Sequence, residues 1–365
     1  MSPANATGMF PPWNEPTRMR KTCSPVLPDL LPMNPYLRPM VWGGHRLAEC
    51  FGKAVPCGTQ VGESFELSVY PGRQSVVAAG VLEGLTLQEL MREYGAELLG
   101  ARIWDRYGGR FPLLVKLLDA QRDLSIQVHP DDDYTRRHGV QDSGKAEAWF
   151  VLRSDSGRVA YGLRPGVDPP AFRQALARGA VDEVVRWHAV RPGDVVYVPP
   201  GTVHALGRGL VVYEVQQSSD LTFRIYDIPE NSTDGVPREL HIEQALQVID
   251  FAASLPGPRP WQELPWAQSD RALLVDCDHF RLNLYQVRTG TVRHAAGDSF
   301  LALTVVEGAA TVSGSRSTIT RTSCDMPAGS TLLVPSRREL AVEPADPAGC
   351  TYLIASAGLP EQVAD

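Results

Sequence analysis

The sequence predicts a mainly β protein made of two tandem jelly-roll β-sandwich domains with a few added helices. Three observations carry that expectation. Thirty prolines and 32 glycines in 365 residues exceed the usual share and cut the chain into many short runs. Those runs are apolar or alternating and of strand length. One β unit also occurs twice: Gly193-DVVYV-Pro199 and Gly329-STLLV-Pro335 place a glycine, a β run and a proline at the same offsets. The first copy goes on to His204 and the second to Leu340, so one unit is expected to keep a polar ligand and the other not.

Taken in order, residues 1–27 are polar and studded with proline and cannot bury enough apolar surface to offset ordering, so a disordered leader is expected. Residues 28–255 are expected to form the first domain. ESFELSVYP (63–71) alternates and ends at the turn signal Pro71-Gly72. Thr86 opens a helix, TLQELMREYGAELLG, with Glu89 completing a capping box. RFPLLVKLLDA (110–120), LSIQVHP (124–130), GDVVYVPPG (193–201) and LVVYEVQQ (210–217) read as strands. Asp168-Pro169-Pro170 starts a second helix, expected to run through AFRQALARGAVDEVVRWH, and RELHIEQALQVID (238–250) has apolar residues at helical spacing. LPGPRPWQELPW resembles a linker. Residues 256–365 then form the second, metal-free domain, with strands in HFRLNLYQV (279–287), FLALTVVEGAATV (300–312) and STLLVPS (330–336).

Composition narrows the function classes. A net charge of −7 offers no basic face for nucleic acid and no attraction to an anionic membrane. The N-terminus lacks the apolar segment of a secretory signal, and no run is long enough to span a bilayer. The six cysteines are scattered, without a CxxC pair, and read as free thiols in a cytoplasmic protein.

The chemistry gathers in three pieces: Gln127-Val128-His129, Lys145-Ala146-Glu147 and His204. Gln127 and His129 are two apart on a strand and so share a face. Two imidazoles and a carboxylate form a usual first shell for catalytic Zn²⁺, which keeps a position open; Gln127 could add an amide oxygen. Any one of these residues alone is more often structural or solvated than a ligand. Their placement is what argues otherwise. GDVVYVPPGTVH fits the second cupin signature, Gly-x5-Pro-x-Gly-x2-His, although Arg208 stands where its final asparagine would be. Gln127-Val128-His129 is an altered form of the first signature.

Longer stretches carry a more specific resemblance. PLLVKLLDAQRDLSIQVHPDDDYTRRH (112–138), GKAEAWFVL (144–152), GDVVYVPPGTVHALGRGLVVYEVQQSSDLTFRIYD (193–227) and RELHIEQAL (238–246) resemble the short bacterial form of the type I mannose-6-phosphate isomerase family. VWGG (41–44) and GESFELS (62–68) match its N-terminal part. The resemblance implies one zinc per chain, held by Gln127, His129, Glu147 and His204. It implies that Arg224 is an active-site residue and that Lys116 and Lys145 line the sugar site. The reaction implied is interconversion of mannose 6-phosphate and fructose 6-phosphate through a cis-enediolate. The expected partner is a small sugar phosphate, with the chain a monomer or homodimer. Ala148 departs from the methionine common after the glutamate, and Gly144 from a histidine of longer members.

Two other readings compete. A non-catalytic sugar- or metal-binding cupin would not need Lys116, Lys145 and Arg224, and all three are present. The same donor count would also serve the non-haem iron of a dioxygenase. Lys116 sits inside an apolar run, where an unpaired ammonium is costly, so a wet cavity is expected around it. Arg224 could instead serve only as an ion-pair partner of Asp220 or Asp227. Lys145, two residues before Glu147, is the leading candidate for the base that moves the proton between C1 and C2, nearly matched by a role in substrate binding alone.

Overall fold

A computed structural model describes residues 25–232, 236–314 and 323–359, and the chain in it is mainly β, as the sequence predicts. Residues 1–24 of the expected leader, and Cys23 with them, lie outside the described residues. At the end of that expected leader Leu27 is 2% exposed, and Tyr94 donates its hydroxyl hydrogen to the Pro25 carbonyl at 2.9 Å. The described cysteines are all free thiols. Among the described residues no helix is long and apolar enough to cross a membrane.

The described strands form three sheets. A seven-stranded sheet runs in the order 259–260, 194–198, 147–154, 210–217, 113–120, 61–67, 36–44. A five-stranded sheet runs 223–226, 126–128, 204–206, 158–163, 185–189. Apolar residues of both, including Trp149, Val151, Val196 and Leu210 from the first and Val159, Tyr161 and Leu206 from the second, meet in one core between them. The outer face of the five-stranded sheet is covered by the helices Pro169–Ala177 and Ile242–Val248. The other face of the seven-stranded sheet shares a large core with a ten-stranded sheet built mostly from residues 271–357. That third sheet takes strands from both ends of the chain, since Leu31–Asn34 pairs antiparallel with Thr331–Val334.

Most elements lie where the sequence places them. Thr86 caps Leu87–Leu99 with the reciprocal Glu89 bonds of a capping box. Two expectations need correction. The helix starting at Pro169 stops at Ala177 because Gly179 adopts a left-handed φ of +67°; VRWHA then enters the five-stranded sheet as Val185–Ala189. β-branched Val185 and Trp187 suit that edge better than a helix. The stretch expected to be a linker is built into the fold: Arg259–Pro260 pairs with Asp194–Val195, and Trp261 is buried.

A bolt of buried polar groups joins the sandwiches. Glu66, fully buried, pairs with Lys53 at 2.6 Å and accepts hydrogen bonds from Ser64 and Thr331 at 2.6 and 2.8 Å. Lys53 also donates to the Gly329 carbonyl at 2.6 Å. Both charges therefore have the partners that burial demands.

Candidate metal centre

The site lies between the two sheets of the first sandwich. Gln127 and His204 are cross-strand partners in the five-stranded sheet, and Glu147 begins a strand of the facing sheet. His129 follows immediately after Ile126–Val128, on the same side as Gln127, as period-two alternation requires. The ligating atoms of His129, Glu147 and His204 all fall within 4.8 Å of one another, and the three residues are buried. His204 Nε2 is 3.1 Å from Glu147 Oε1, and His129 Nε2 is 3.4 Å from Glu147 Oε2.

The tautomers follow from the hydrogen bonds. His129 Nδ1 lies 2.8 Å from the Leu221 carbonyl, and His204 Nδ1 lies 2.8 Å from the Thr202 carbonyl. A carbonyl only accepts, so both Nδ1 atoms carry a proton, and in the neutral rings both Nε2 lone pairs point inward. This arrangement fixes imidazoles for metal binding. Burial, and then the Lys145 ammonium, push the His129 pKa down to about 3, so this ring is neutral. Burial works to raise Glu147, but the Lys145 ammonium beside it outweighs burial and holds the carboxylate ionised, well below the ordinary range. Neither Glu147 oxygen receives a hydrogen bond among the described residues, although both are buried. A buried, ionised carboxylate between two inward lone pairs is a donor set that fits a divalent cation.

The other expected residues surround this point at different depths. Gln127 directs its amide toward His204 Nε2 at 3.3 Å and His129 Nε2 at 3.5 Å. Lys145 Nζ lies 3.2 Å from both His129 Nε2 and Glu147 Oε2, so the lysine and the glutamate do face one point. Lys116 is 4% exposed, and its compensation comes from protein groups where the sequence suggested a wet cavity. Glu214 Oε2 is 3.3 Å away, Glu63 Oε1 3.5 Å, and the Phe65 ring centroid 4.9 Å. Burial works to lower the Lys116 pKa, but these carboxylates raise it, and the residue is a fixed cation. Arg224 is the cross-strand partner of Gln127. It donates to the Glu239 carbonyl at 2.8 Å and stands 4.0 Å from Asp227, which is already held by Arg238 at 2.6 Å. Asp220 is not its partner; that carboxylate pairs with Arg73 at 2.8 Å.

Sequence reading missed Glu63 and Glu214. The signal was present: one lysine and one glutamate interrupt two apolar runs, and antiparallel register sets Lys116 opposite Glu214. Trp149 links this pair to the ligand set, donating to Glu214 Oε1 at 2.9 Å while its ring meets His204 edge-on at 5.5 Å.

Comparison with known proteins agrees with this geometry. Residues 30–148 match the family model "Phosphomannose isomerase type I, catalytic domain". A mannose-6-phosphate isomerase of Bacillus subtilis is 35% identical over 275 residues, covering 75% of this chain and 84% of that protein. One from Streptococcus mutans is 36% identical over 269 residues, covering 73% and 82%. The crystal structure of the mannose 6-phosphate isomerase from Bacillus subtilis superposes with a TM-score of 0.77 at 28% identity, over 90% of this chain and 99% of that one.

Proposed function

This chain belongs to the type I mannose-6-phosphate isomerase family, a family of metal-dependent isomerases, and from that premise we propose that it is a zinc enzyme interconverting mannose 6-phosphate and fructose 6-phosphate. One zinc per chain would be held by His129, Glu147 and His204, with Gln127 as a fourth ligand once its amide oxygen is turned inward. At present Nε2 faces the two imidazole lone pairs and Oε1 lies 3.5 Å from Ser125 Oγ; a cation engaging those lone pairs would favour the amide turned the other way round. The observation that carries the reading is the buried Glu147 carboxylate, ion-paired with Lys145 at 3.2 Å and facing two inward Nε2 lone pairs.

The bound cation would supply Lewis-acid stabilisation of the oxyanion that develops on the sugar. The chain's own residues do the rest. Lys145 faces the ligand set and is the amine placed to move a proton between C1 and C2 through the cis-enediolate. Arg224, half-buried beside Gln127, orients the substrate, and Lys116 holds a fixed positive charge beneath the site. Burial of all three ligands keeps bulk water away from the intermediate.

The test is a coupled assay of purified protein with mannose 6-phosphate, before chelation, after chelation and after zinc is restored. Turnover that disappears and returns supports the reading. Absence of turnover in the zinc-loaded protein would favour the non-catalytic metal-binding alternative. For Lys145, the Lys145→Met variant in deuterated water should lose both isomerisation and deuterium uptake at C2. Continued uptake would leave Lys145 a substrate-binding cation.

A further inference from the structure

We infer that Gln217, oriented by Asp132, is the positioning residue that sets Lys145 and Glu147 against His129. The inference rests on the metal set proposed above. Lys145 and Glu147 flank Ala146, and Gln217 grips that residue from both sides. Gln217 donates its backbone N–H to the Ala146 carbonyl at 3.0 Å, and its side-chain Oε1 accepts the Ala146 N–H at 2.9 Å. The side chain is buried, so these bonds are not shared with solvent.

An amide can be seated either way round, and here Asp132 decides which. Gln217 Nε2 donates to both Asp132 oxygens at 3.2 Å, which leaves Oε1 for Ala146. Asp132 Oδ1 also accepts the Gly144 N–H at 2.7 Å, while Lys145 donates its backbone N–H to the Pro130 carbonyl at 3.0 Å. The segment 144–147 is thus tied to the segment 129–132, which carries His129. The two run so close that a Cβ on Gly144 would come within 2.5 Å of the backbone at Asp131 and Asp132. None of these atoms touches the ligand point itself, so the effect reaches it only through geometry. Second-sphere partners of this kind typically change metal affinity by about 10–100-fold.

The experiment measures zinc affinity by chelator competition, together with kcat and KM, for full-length parent, Gln217→Leu, Asp132→Ala and Asp132→Asn. Gln217→Leu and Asp132→Ala should each weaken zinc binding by about 10-fold or more. With zinc saturating, they should lower kcat by a similar factor and shift KM less than about 3-fold, because Lys145 loses its placement. Asp132→Asn keeps one oxygen for the Gly144 N–H and one Gln217 contact but sets its own amide N–H beside Nε2, and should recover part of the affinity lost in Asp132→Ala. If Gln217→Leu does not fold, Asp132→Ala, altered at a part-exposed carboxylate, carries the test. A purely structural role would lower the unfolding midpoint and leave zinc affinity within about 2-fold of the parent in folded protein; that result, or failure of Asp132→Asn to recover affinity, overturns the inference. A parent that binds no zinc would instead refute the metal set.

Discussion

The two halves of the internal repeat follow the same backbone path and end in different chemistry. Gly193 and Gly329 open them at φ +92° and +91°, and each donates its N–H to a neighbouring strand, to Val151 and Val305. Gly201 and Arg337 occupy the same later offset and turn the chain through φ +82° and +57°. Both turns then bury the residue that follows, His204 in one and Leu340 in the other. His204 has Thr202 to fix its tautomer and the facing Glu147 to meet its lone pair. Leu340 pairs across from His294 and joins an apolar cluster with Val312, Val342 and Tyr352. A β turn of this shape supplies a position, and the facing sheet decides whether that position can hold a charge.

The largest effect expected from breaking the comparison comes from giving the first turn the second turn's residue. His204→Leu removes one inward lone pair and leaves Glu147 buried among fewer partners. Loss of several kcal/mol of Lewis-acid stabilisation corresponds to a fall in kcat/KM of about 10³-fold or more, read in the coupled isomerase assay. A variant retaining a tenth of parental activity would show that His204 is dispensable.

Next in size is the bolt between the sandwiches. Glu66→Ala strands the Lys53 ammonium, which keeps only 7% of its side-chain exposure, and should cost about 3–5 kcal/mol in denaturant unfolding. A loss under about 1 kcal/mol would mean that the two sheets are held by their shared apolar core alone.

Much of this architecture was legible in the sequence because its causes are local. Strand periodicity put Gln127 and His129 on one face, the capping box fixed the helix start at Thr86, and the repeated glycine–proline spacing announced two matching turns. What was hidden depends on register between distant segments. Glu63 and Glu214 read as ordinary strand glutamates until antiparallel pairing sets them around Lys116. Gln217 is one amide among many until it meets Ala146 and Asp132. The helix expected through 188 ended early because Gly179 takes a left-handed conformation that propensity summed over the segment does not reveal.

The second sandwich should carry a modest acid sensitivity of its own. Burial pushes the His294 imidazole down to about 4, with the ring accepting or donating at Tyr352 Oη, 2.8 Å away. The folded state therefore binds fewer protons than the unfolded chain between about pH 6.5 and 4. Stability falls as pH drops through that window, by at most about 3 kcal/mol, and is regained above it. Denaturant midpoints measured from pH 7 to 4 should be flatter in His294→Asn than in the parent; identical slopes would assign the sensitivity elsewhere.

The smallest effect is a gain. Arg337 stands in a left-handed conformation that its counterpart fills with Gly201. Arg337→Gly should raise stability by about 0.5–1 kcal/mol, the relieved strain less the added chain entropy. A loss in the thermal midpoint would show that the Arg337–Asp298 contact at 3.5 Å outweighs the strain.

The central claim is that His129, Glu147 and His204 of the first sandwich together hold a metal and that the second sandwich holds none. Native mass spectrometry of zinc-loaded parent and His129→Ala tests it most directly. The account predicts one zinc per chain in the parent and close to none in the variant. Two zincs per chain in the parent, or one retained in His129→Ala, would contradict it.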